Sequence, residues 1–315
     1  MRVTTAGQTQ AIIARLLDSQ SKLAEAQDRA SSGIKVGRMS DDPTAASTIV
    51  RDSGALRGIA QYTRNAQGVT TSLNAEDSAV QQLNDLLTRA KEIGVEANTS
   101  TASPTARSAA AAEVQQLLSQ AVSVANTKVG NDYLFGGTNS DGRPPFDAAA
   151  TTFVPSDTAA GGTSVPRYPT GVRSIDVGAG GQTLDGAHDG TSVFLGYTNG
   201  APDGTRGVLP ALRQLAQALS GADTTQIAPA MSTLDDAFDQ VQVRVGELGA
   251  RQNQTDAVTT GLTALQTTLT QQKSGLSEVN MEQAITEMLA RQTAYQSAML
   301  ASSKVMGLSL TEYLR

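Results

Sequence analysis

Apolar side chains recur in steps of four and three along the segment from residue 227 to residue 248. This heptad spacing places them on one face of a helix and is typical of coiled-coil packing. Residues 230–315 contain no proline, so a helix can continue without a break. The spacing therefore predicts a long helix with an apolar stripe made of Ile227, Met231, Leu234, Phe238, Val241, Val245 and Leu248.

Two further stripes lie in the first half of the chain. One runs from Val69 to Leu87 with Glu76 at its single polar position, and the other runs from Val114 to Ala125. The polar stretch NTSTASP separates the two stripes and has the composition of a turn. We therefore predict two antiparallel helices joined at this turn.

Both ends of the chain also carry amphipathic patterns, and neither end has a partner helix next to it in sequence. We predict that the two terminal helices pair with each other. A methionine-rich stripe can belong to a protein's own core or to a seam between molecules, and both alternatives stay open here. We assign an assembly interface to Ile12, Leu16, Leu23 and Ala30 near the N-terminus and to Ile285, Met288, Tyr295, Met299, Met306, Leu310 and Leu314 near the C-terminus.

The middle of the chain has a different composition. Residues 136–207 hold roughly half of the 29 glycines and more than half of the 10 prolines, which favours turns over long helices. Between these turns lie the alternating segments TTFVP at 151–155, RSIDVG at 173–178 and TSVFLG at 191–196. Alternation of polar and apolar residues predicts short antiparallel strands.

Together these patterns predict a mainly α-helical fold with a β-rich insertion. The N- and C-terminal regions build an elongated antiparallel helical rod or coiled coil, and a small β domain lies at its tip. The predicted divisions are terminal assembly helices at 1–42 and 276–315, a helical rod at 43–137 and 206–275, and the β-rich insertion at 138–205.

The stretch ASSGIKVGRMSDDPTAAS at residues 30–47 interrupts the first helical pattern. Gly33 disfavours helix, whereas Asp41 and Asp42 offer side-chain oxygens that can cap a new one. Pro43 fits the first position of a helix. The stretch therefore predicts a joint between two helices rather than a ligand loop, with the second helix beginning near residue 43.

Composition narrows the functional classes. Aromatic residues make up 3% of the 315 residues, which favours thin helical layers over one large core. Cysteine is absent, which excludes disulfides and thiolate chemistry. The net charge of −6 comes without a basic run, which argues against binding of nucleic acid and against a polybasic membrane patch. The first residues lack the apolar core of a secretory signal, and no apolar run approaches the roughly 18 residues of a membrane span.

Few side chains offer candidate chemistry. The single histidine, His188, has acidic neighbours but no nucleophile in an elbow pattern, which favours a solvated turn. Asn139, Asp141 and Asp147 lack the terminal glutamate of a calcium loop, which favours a turn there too. The stretch GIKVGRMS has neither the glycine spacing nor the lysine–serine or lysine–threonine pair of a phosphate loop. We therefore predict no enzyme activity, no cofactor and no metal site.

Three stretches resemble a known family. The chain is similar to the N-terminal signature of bacterial flagellins and their relatives at residues 21–47, SKLAEAQDRASSGIKVGRMSDDPTAAS, and to the matching C-terminal signature from RVGELGARQNQTDAV at residue 244 onwards. It resembles the hook-associated protein 3 branch of that family at residues 113–147, EVQQLLSQAVSVANTKVGNDYLFGGTNSDGRPPFD.

This resemblance implies a structural subunit of the bacterial flagellum. Such a subunit forms the junction between hook and filament by helical self-assembly of its terminal helices. The implied partners are further copies of the chain in a ring or helical layer, the neighbouring hook-associated protein, flagellin, and an export chaperone on the C-terminal helix. The resemblance also implies type III export to the extracellular flagellum without a cleavable signal peptide. We expect no nucleic acid partner and no membrane insertion.

Other functions stay open on the sequence alone. A filament flagellin would share both terminal signatures but polymerise without limit, and the NDYLFGGT stretch argues against it. An adhesion or binding module on a coiled-coil stalk would carry its ligand site in the insertion. A secreted enzyme on the same stalk would need a clustered site there, where the sequence offers His188 and scattered aspartates.

Overall fold

Long helices dominate the structure, which is a computed structural model that describes residues 5–99, 102–139, 142–150, 152–158, 164–198, 201–202, 206–221 and 224–313. Among these residues, no helix combines the length and the apolar character that crossing a membrane requires. The helices are α1 Thr5–Ser32, α2 Pro43–Ala97, α3 Pro104–Ala125, α4 Val208–Ser220, α5 Ile227–Ser277 and α6 Met281–Tyr313.

Short strands occupy the stretch between α3 and α4. They pair antiparallel in sequence order as two-stranded sheets. This arrangement confirms the predicted mainly α-helical fold with a β-rich insertion. The strands are β1 Lys128–Val129, β2 Asp132–Tyr133, β3 Ser156–Thr158, β4 Ser164–Pro166, β5 Ser174–Asp176, β6 Thr183–Asp185, β7 Tyr197–Thr198 and β8 Ala201–Pro202.

The chain divides into two compact units. The first unit comprises Met1–Arg57 and Ala264–Arg315, and the second unit comprises Gly58–Thr263. The divisions fall inside α2 and α5 rather than in loops. Each unit therefore contains part of both long helices.

The predicted heptad stripes form the core of the second unit. Helices α2 and α5 run antiparallel there, because Asn84 bonds Gln242 at 3.2 Å while Lys91 bonds Asp235 at 2.6 Å. On α5 the stripe alternates between fully buried and half-buried positions. The buried members are Ile227, Leu234, Val241 and Leu248, and the half-buried ones are Met231, Phe238 and Val245.

The turn between α2 and α3 follows from local capping chemistry. Ser103 accepts a hydrogen bond from the backbone N–H of Ala106 at 3.1 Å, and Pro104 occupies the first helical position. Arg89 on α2 donates to Glu113 on α3 at 2.7 and 2.9 Å, at a similar distance from the turn. The predicted antiparallel helix pair is therefore confirmed.

The insertion shares its core with the helices. Phe194 meets Phe135 edge to face at 4.9 Å between ring centroids, and both belong to the apolar cluster that contains α3 and α4. Leu184 on β6 packs in a second cluster with Leu73 of α2 and Leu248 of α5. The β-rich segment is therefore anchored on helices of the second unit by apolar contacts.

The strand predicted at residues 191–196 is wrong. Thr191–Leu195 forms a short π-helix, and all five of its side chains are buried. An alternating strand pattern assumes one exposed face, whereas this segment is covered on all sides. Its backbone groups therefore bond locally, as in the bond from the Gly196 N–H to the Thr191 carbonyl at 2.8 Å.

The strand predicted at residues 151–155 is also wrong, because residues 152–154 form a turn. Phe153 has a φ of 58°, which no strand residue adopts, and the Arg213 guanidinium lies 3.4 Å from its ring centroid. Asp147 accepts a hydrogen bond from the Ala149 N–H at 2.9 Å, which is the turn chemistry expected of that aspartate. Asp141 lies outside the described residues.

The prediction that His188 lies in a solvated turn is wrong. The side chain is 3% exposed, and its two ring nitrogens meet the carboxylates of Glu76 on α2 and Glu247 on α5. The physical reason is long-range: the ring's acidic neighbours in sequence do not pair with it, whereas two glutamates more than 50 positions away do. Glu76 is the single polar position of the α2 stripe.

Candidate functional site

Helices α1 and α6 pack against each other in the first unit. Ile12 and Leu16, near the start of α1, line one groove with Ala298 and Ala301, near the end of α6. Further along, Ala26 of α1 lines another groove with Ala284 of α6. The helices therefore run antiparallel, and the two ends of the chain pair with each other as the sequence predicts.

The break between α1 and α2 is built from glycine and aspartate geometry. Gly33 has a φ of 70°, a left-handed conformation that favours glycine and ends α1. Asp42 caps α2 by accepting from the N–H groups of Thr44 at 3.0 Å and Ala45 at 2.9 Å. Pro43 is the first residue of α2, and Asp41 accepts from the backbone of the preceding turn at 2.8 and 3.1 Å.

The break between α5 and α6 lies beside the break between α1 and α2. The Lys35 N–H donates to the Ser277 carbonyl at 2.7 Å, and the Val279 N–H donates to the Gly33 carbonyl at 2.9 Å. Asn280 then caps α6 by accepting from the N–H groups of the next turn at 3.0 and 3.3 Å. Residues 33–35, after α1, and residues 277–279, at the end of α5, therefore lie side by side. Each segment supplies hydrogen-bond partners for backbone groups of the other.

The residues assigned to the assembly interface fall into three groups. Half-buried side chains are those of Ile12, Leu16, Leu23, Ala30, Met288 and Tyr295, whereas Ile285 and Met299 are exposed. The backbone at Met306 and Leu310 belongs to α6, but their side chains lie outside the described part of the chain, as does all of Leu314.

The predicted stripe misses several of the exposed apolar side chains on α1 and α6. Leu17 is 59% exposed and Leu300 is 70% exposed, although both are large and apolar. The signal for them is a run of apolar pairs in the sequence, Ile-Ile at 12–13, Leu-Leu at 16–17 and Met-Leu at 288–289. Neighbours in a helix point about 100° apart. In each of these pairs the first side chain is therefore half-buried while the second is exposed. The outer apolar residues are Ile13, Leu17, Met281, Ile285, Leu289, Met299 and Leu300, of which Ile285 and Met299 belong to the predicted stripe.

This arrangement offers surface for packing rather than chemistry. Lys22 pairs with Asp18, and Arg291 pairs with Glu287, each within one turn of its own helix. In the described ranges, histidine and acidic side chains form no group of three placed to hold a metal ion. What the site can do is bury apolar surface against another protein.

Comparison with known families matches both ends of the chain. Residues 3–140 match the bacterial flagellin N-terminal helical region, and residues 231–314 match the bacterial flagellin C-terminal helical region. Together the two matches cover more than half of the chain, and each contains one of the helices that form the α1–α6 pair.

Individual relatives agree with these matches. Flagellar hook-associated protein 3 of Escherichia coli (strain K12) is 28% identical over 98% of this chain and 98% of its own length. The structure of a flagellar hook-associated protein from Vibrio parahaemolyticus has a TM-score of 0.63 at 19% identity, covering 76% of this chain and 100% of that one. A phase 1 flagellin of Salmonella naestved is 30% identical over 34% of this chain and 21% of its own length. The chain therefore belongs to the flagellin family and is similar over nearly its whole length to flagellar hook-associated protein 3.

Proposed function

We propose that this chain is a structural subunit of the bacterial flagellum that joins the hook to the filament, and that its copies assemble through α1 and α6. The observation that carries the proposal is the set of outer apolar residues that the α1–α6 pair leaves exposed. Full burial of one such side chain stabilises an assembly by about 1.5–3 kcal/mol. The likeness to hook-associated protein 3 across both terminal regions and the insertion supports the position in the flagellum.

The proposal assigns a separate role to each part of the chain. Residues 1–42 and 276–315 are the assembly helices, residues 43–137 and 206–275 are the helical shaft, and residues 138–205 are the insertion. The side chains assigned at the sequence level, from Ile12 to Leu314, belong to the assembly surface, and the outer apolar residues extend it. The joint at Gly33 and Asp42 sets where the N-terminal assembly helix ends and the helical shaft begins.

The proposed partners follow from the same role. Further copies of the chain form a ring or a helical layer, and that layer meets a neighbouring hook-associated protein on one side and flagellin on the other. An export chaperone covers the C-terminal helix before assembly. The chain reaches the extracellular flagellum by type III export, without a cleavable signal peptide.

A structural role is favoured over the alternatives. Filament flagellin is the weaker candidate, because the flagellin match covers about a third of the chain whereas the hook-associated protein match covers nearly all of it. Relatives named as hook-associated proteins and flagellins favour a structural subunit over an enzyme on a stalk. An adhesion module would place the binding site in the insertion and would give the outer apolar residues no role.

The test replaces the two most exposed outer residues. Leu17→Ser with Leu300→Ser should weaken self-association of the purified full chain by about a hundredfold or more, because two leucine burials are lost. The matched control is Val95→Ser with Val243→Ser in the second unit, whose side chains are 58% and 57% exposed. Sedimentation of each variant measures the association, and the control should behave like the unaltered chain.

Labelled electron microscopy of isolated flagella then tests the position. The unaltered chain and the valine control should label the boundary between hook and filament, and the leucine variant should be absent from it. If the leucine variant still occupies that boundary, the proposed surface is wrong. Long homopolymers grown from the purified chain would favour filament flagellin, and label on another structure would favour a binding module.

A further inference from the structure

One imidazole ring ties the insertion to both long helices of the second unit. His188 follows β6, and its Nδ1 lies 2.6 Å from Oε1 of Glu76 on α2. Its Nε2 lies 3.0 Å from Oε2 of Glu247 on α5. The backbone N–H of His188 also donates to both Glu76 oxygens, at 3.2 and 3.3 Å. The contact therefore depends on a single side chain with a partner on each helix.

The chemistry of these partners sets the protonation that the contact requires. An ionised carboxylate only accepts hydrogen bonds, so each ring nitrogen must carry a proton to bond its glutamate. An imidazole with both protons is cationic, and a neutral ring leaves one nitrogen lone pair facing a carboxylate. Glu76 is fully buried, at 0% exposed, and a buried carboxylate needs a counter-charge. The doubly protonated ring supplies it.

Ionisable groups at and beside this contact keep their charge state when the imidazole ring loses a proton. Burial by itself raises the pKa of Glu247, but hydrogen bonds and charge from Arg244 and His188 outweigh it, so the pKa of Glu247 lies below its ordinary value. Arg251 donates to the Gly186 carbonyl at 2.6 Å, and guanidinium groups keep their charge. Partial burial, with the nearby charge of Asp189, raises the pKa of Tyr197 to about 12, so that phenol stays neutral.

We propose that Glu76, His188 and Glu247 form a proton-dependent latch that holds the β-rich insertion on α2 and α5. The latch is closed by the doubly protonated ring and opens when the ring loses a proton. Raising the pH therefore weakens the hold on the insertion. Lowering the pH weakens the contact with α5 once Glu247 takes up a proton, below its already lowered pKa. This device is independent of assembly through the terminal helices.

The full chain allows a direct test because it has one histidine. Ring signals in an NMR titration from about pH 5.5 to about pH 9.5 report the charge of His188 without ambiguity. Amide hydrogen exchange over the same series, corrected for the intrinsic pH dependence, reports opening at His188, Gly186 and Val177. The His188 N–H bonds Glu76 directly, and the Val177 N–H belongs to the β5–β6 turn.

The informative variant is Glu247→Gln. A glutamine amide can donate as well as accept, so it satisfies Nε2 of a neutral ring and should reduce the dependence on pH to the part that comes from the counter-charge on Glu76. Asp239→Asn is the matched control, since it removes an exposed carboxylate from the same helix without touching the ring. Neither variant removes the histidine, so the ring titration can be followed in both.

In the unaltered chain and in Asp239→Asn, protection of the His188 amide should fall about tenfold or more as the ring loses its proton. In Glu247→Gln, protection should fall clearly less across the same titration, because no carboxylate faces the Nε2 lone pair of the neutral ring. The latch is refuted if protection in the unaltered chain does not follow the ring titration, or if Glu247→Gln loses protection in the same way. A ring that keeps one charge state over the whole series also refutes it.

Discussion

At the scale of single residues, one glycine determines how α1 ends. Gly33 adopts a φ of 70°, its N–H bonds the Arg29 carbonyl at 3.0 Å, and its carbonyl accepts from Val279. A side chain added here would meet no neighbouring atom, so the cost of replacing the glycine lies in the backbone alone. Gly246 in the interior of α5 presents the opposite case. A side chain added there also meets no neighbouring atom, but its backbone is helical and suits alanine.

The same substitution should therefore have opposite effects at these two sites. Gly33→Ala should lower the free energy of unfolding by about 1–2 kcal/mol, because alanine resists the left-handed conformation. Gly246→Ala should raise it by up to about 1 kcal/mol, because alanine loses less entropy in a helix. Urea unfolding of both variants measures the difference. A change of the same sign at both sites would contradict the backbone argument.

At the scale of elements, the two helix breaks of the first unit depend on each other. A helix that stops leaves backbone groups without partners, and here residues 33–35 and 277–279 supply them mutually. Ile34 and Glu278 form the bridge between these bonds. The caps from Asp42 and Asn280 then restart α2 and α6. The joint is therefore one structural device made from both halves of the chain.

Removing one N–H should loosen this device. Lys35→Pro deletes the bond to the Ser277 carbonyl and should speed amide exchange at Val279 about tenfold, because the neighbouring bond loses its support. Met39→Pro is the matched control. Met39 is the second residue of the turn closed by the bond from the Asp41 N–H to the Arg38 carbonyl at 3.1 Å, a position where proline is favoured.

Exchange measured by mass spectrometry or NMR separates the two variants. Met39→Pro should leave the Val279 amide as protected as in the unaltered chain. Equal protection of Val279 in Lys35→Pro would mean that the paired segments are held by something other than their backbone bonds.

At the scale of the whole molecule, the two units differ in what they bury. The second unit has a continuous core of leucine, valine, alanine and phenylalanine side chains from α2, α3, α4, α5 and the insertion. The first unit relies on the α1–α6 pair and leaves large apolar residues exposed around it. We infer that the second unit is the stable part of a free subunit and that the first gains stability when copies assemble.

Deleting residues 285–315 tests this division. The shortened chain should lose assembly, because α1 loses its partner and the outer residues of α6 are gone. Its main thermal transition should shift by no more than about 2 °C, since the core of the second unit is untouched. Calorimetry and sedimentation measure the two effects. A shortened chain that still assembles, or one whose main transition collapses, would contradict the division.

Much of the molecule could be predicted from local sequence. Heptad spacing predicts α5 and its buried face, the polar turn predicts the α2–α3 pair, and the aspartate–proline run predicts the start of α2 at Pro43. These features depend on residues within one or two helical turns of each other, so the sequence contains all the information they need. The resemblance to flagellins likewise depends on local stretches at both ends.

The tertiary structure alone decided three other features: the π-helix at Thr191–Leu195, the buried position of His188, and which member of each apolar pair on α1 and α6 faces its partner helix. In each case the outcome depends on groups far away in sequence, such as the Glu76 and Glu247 carboxylates that enclose one ring. Periodicity shows that a side chain is apolar and on which side of its own helix it lies, but burial depends on what the fold brings against that side.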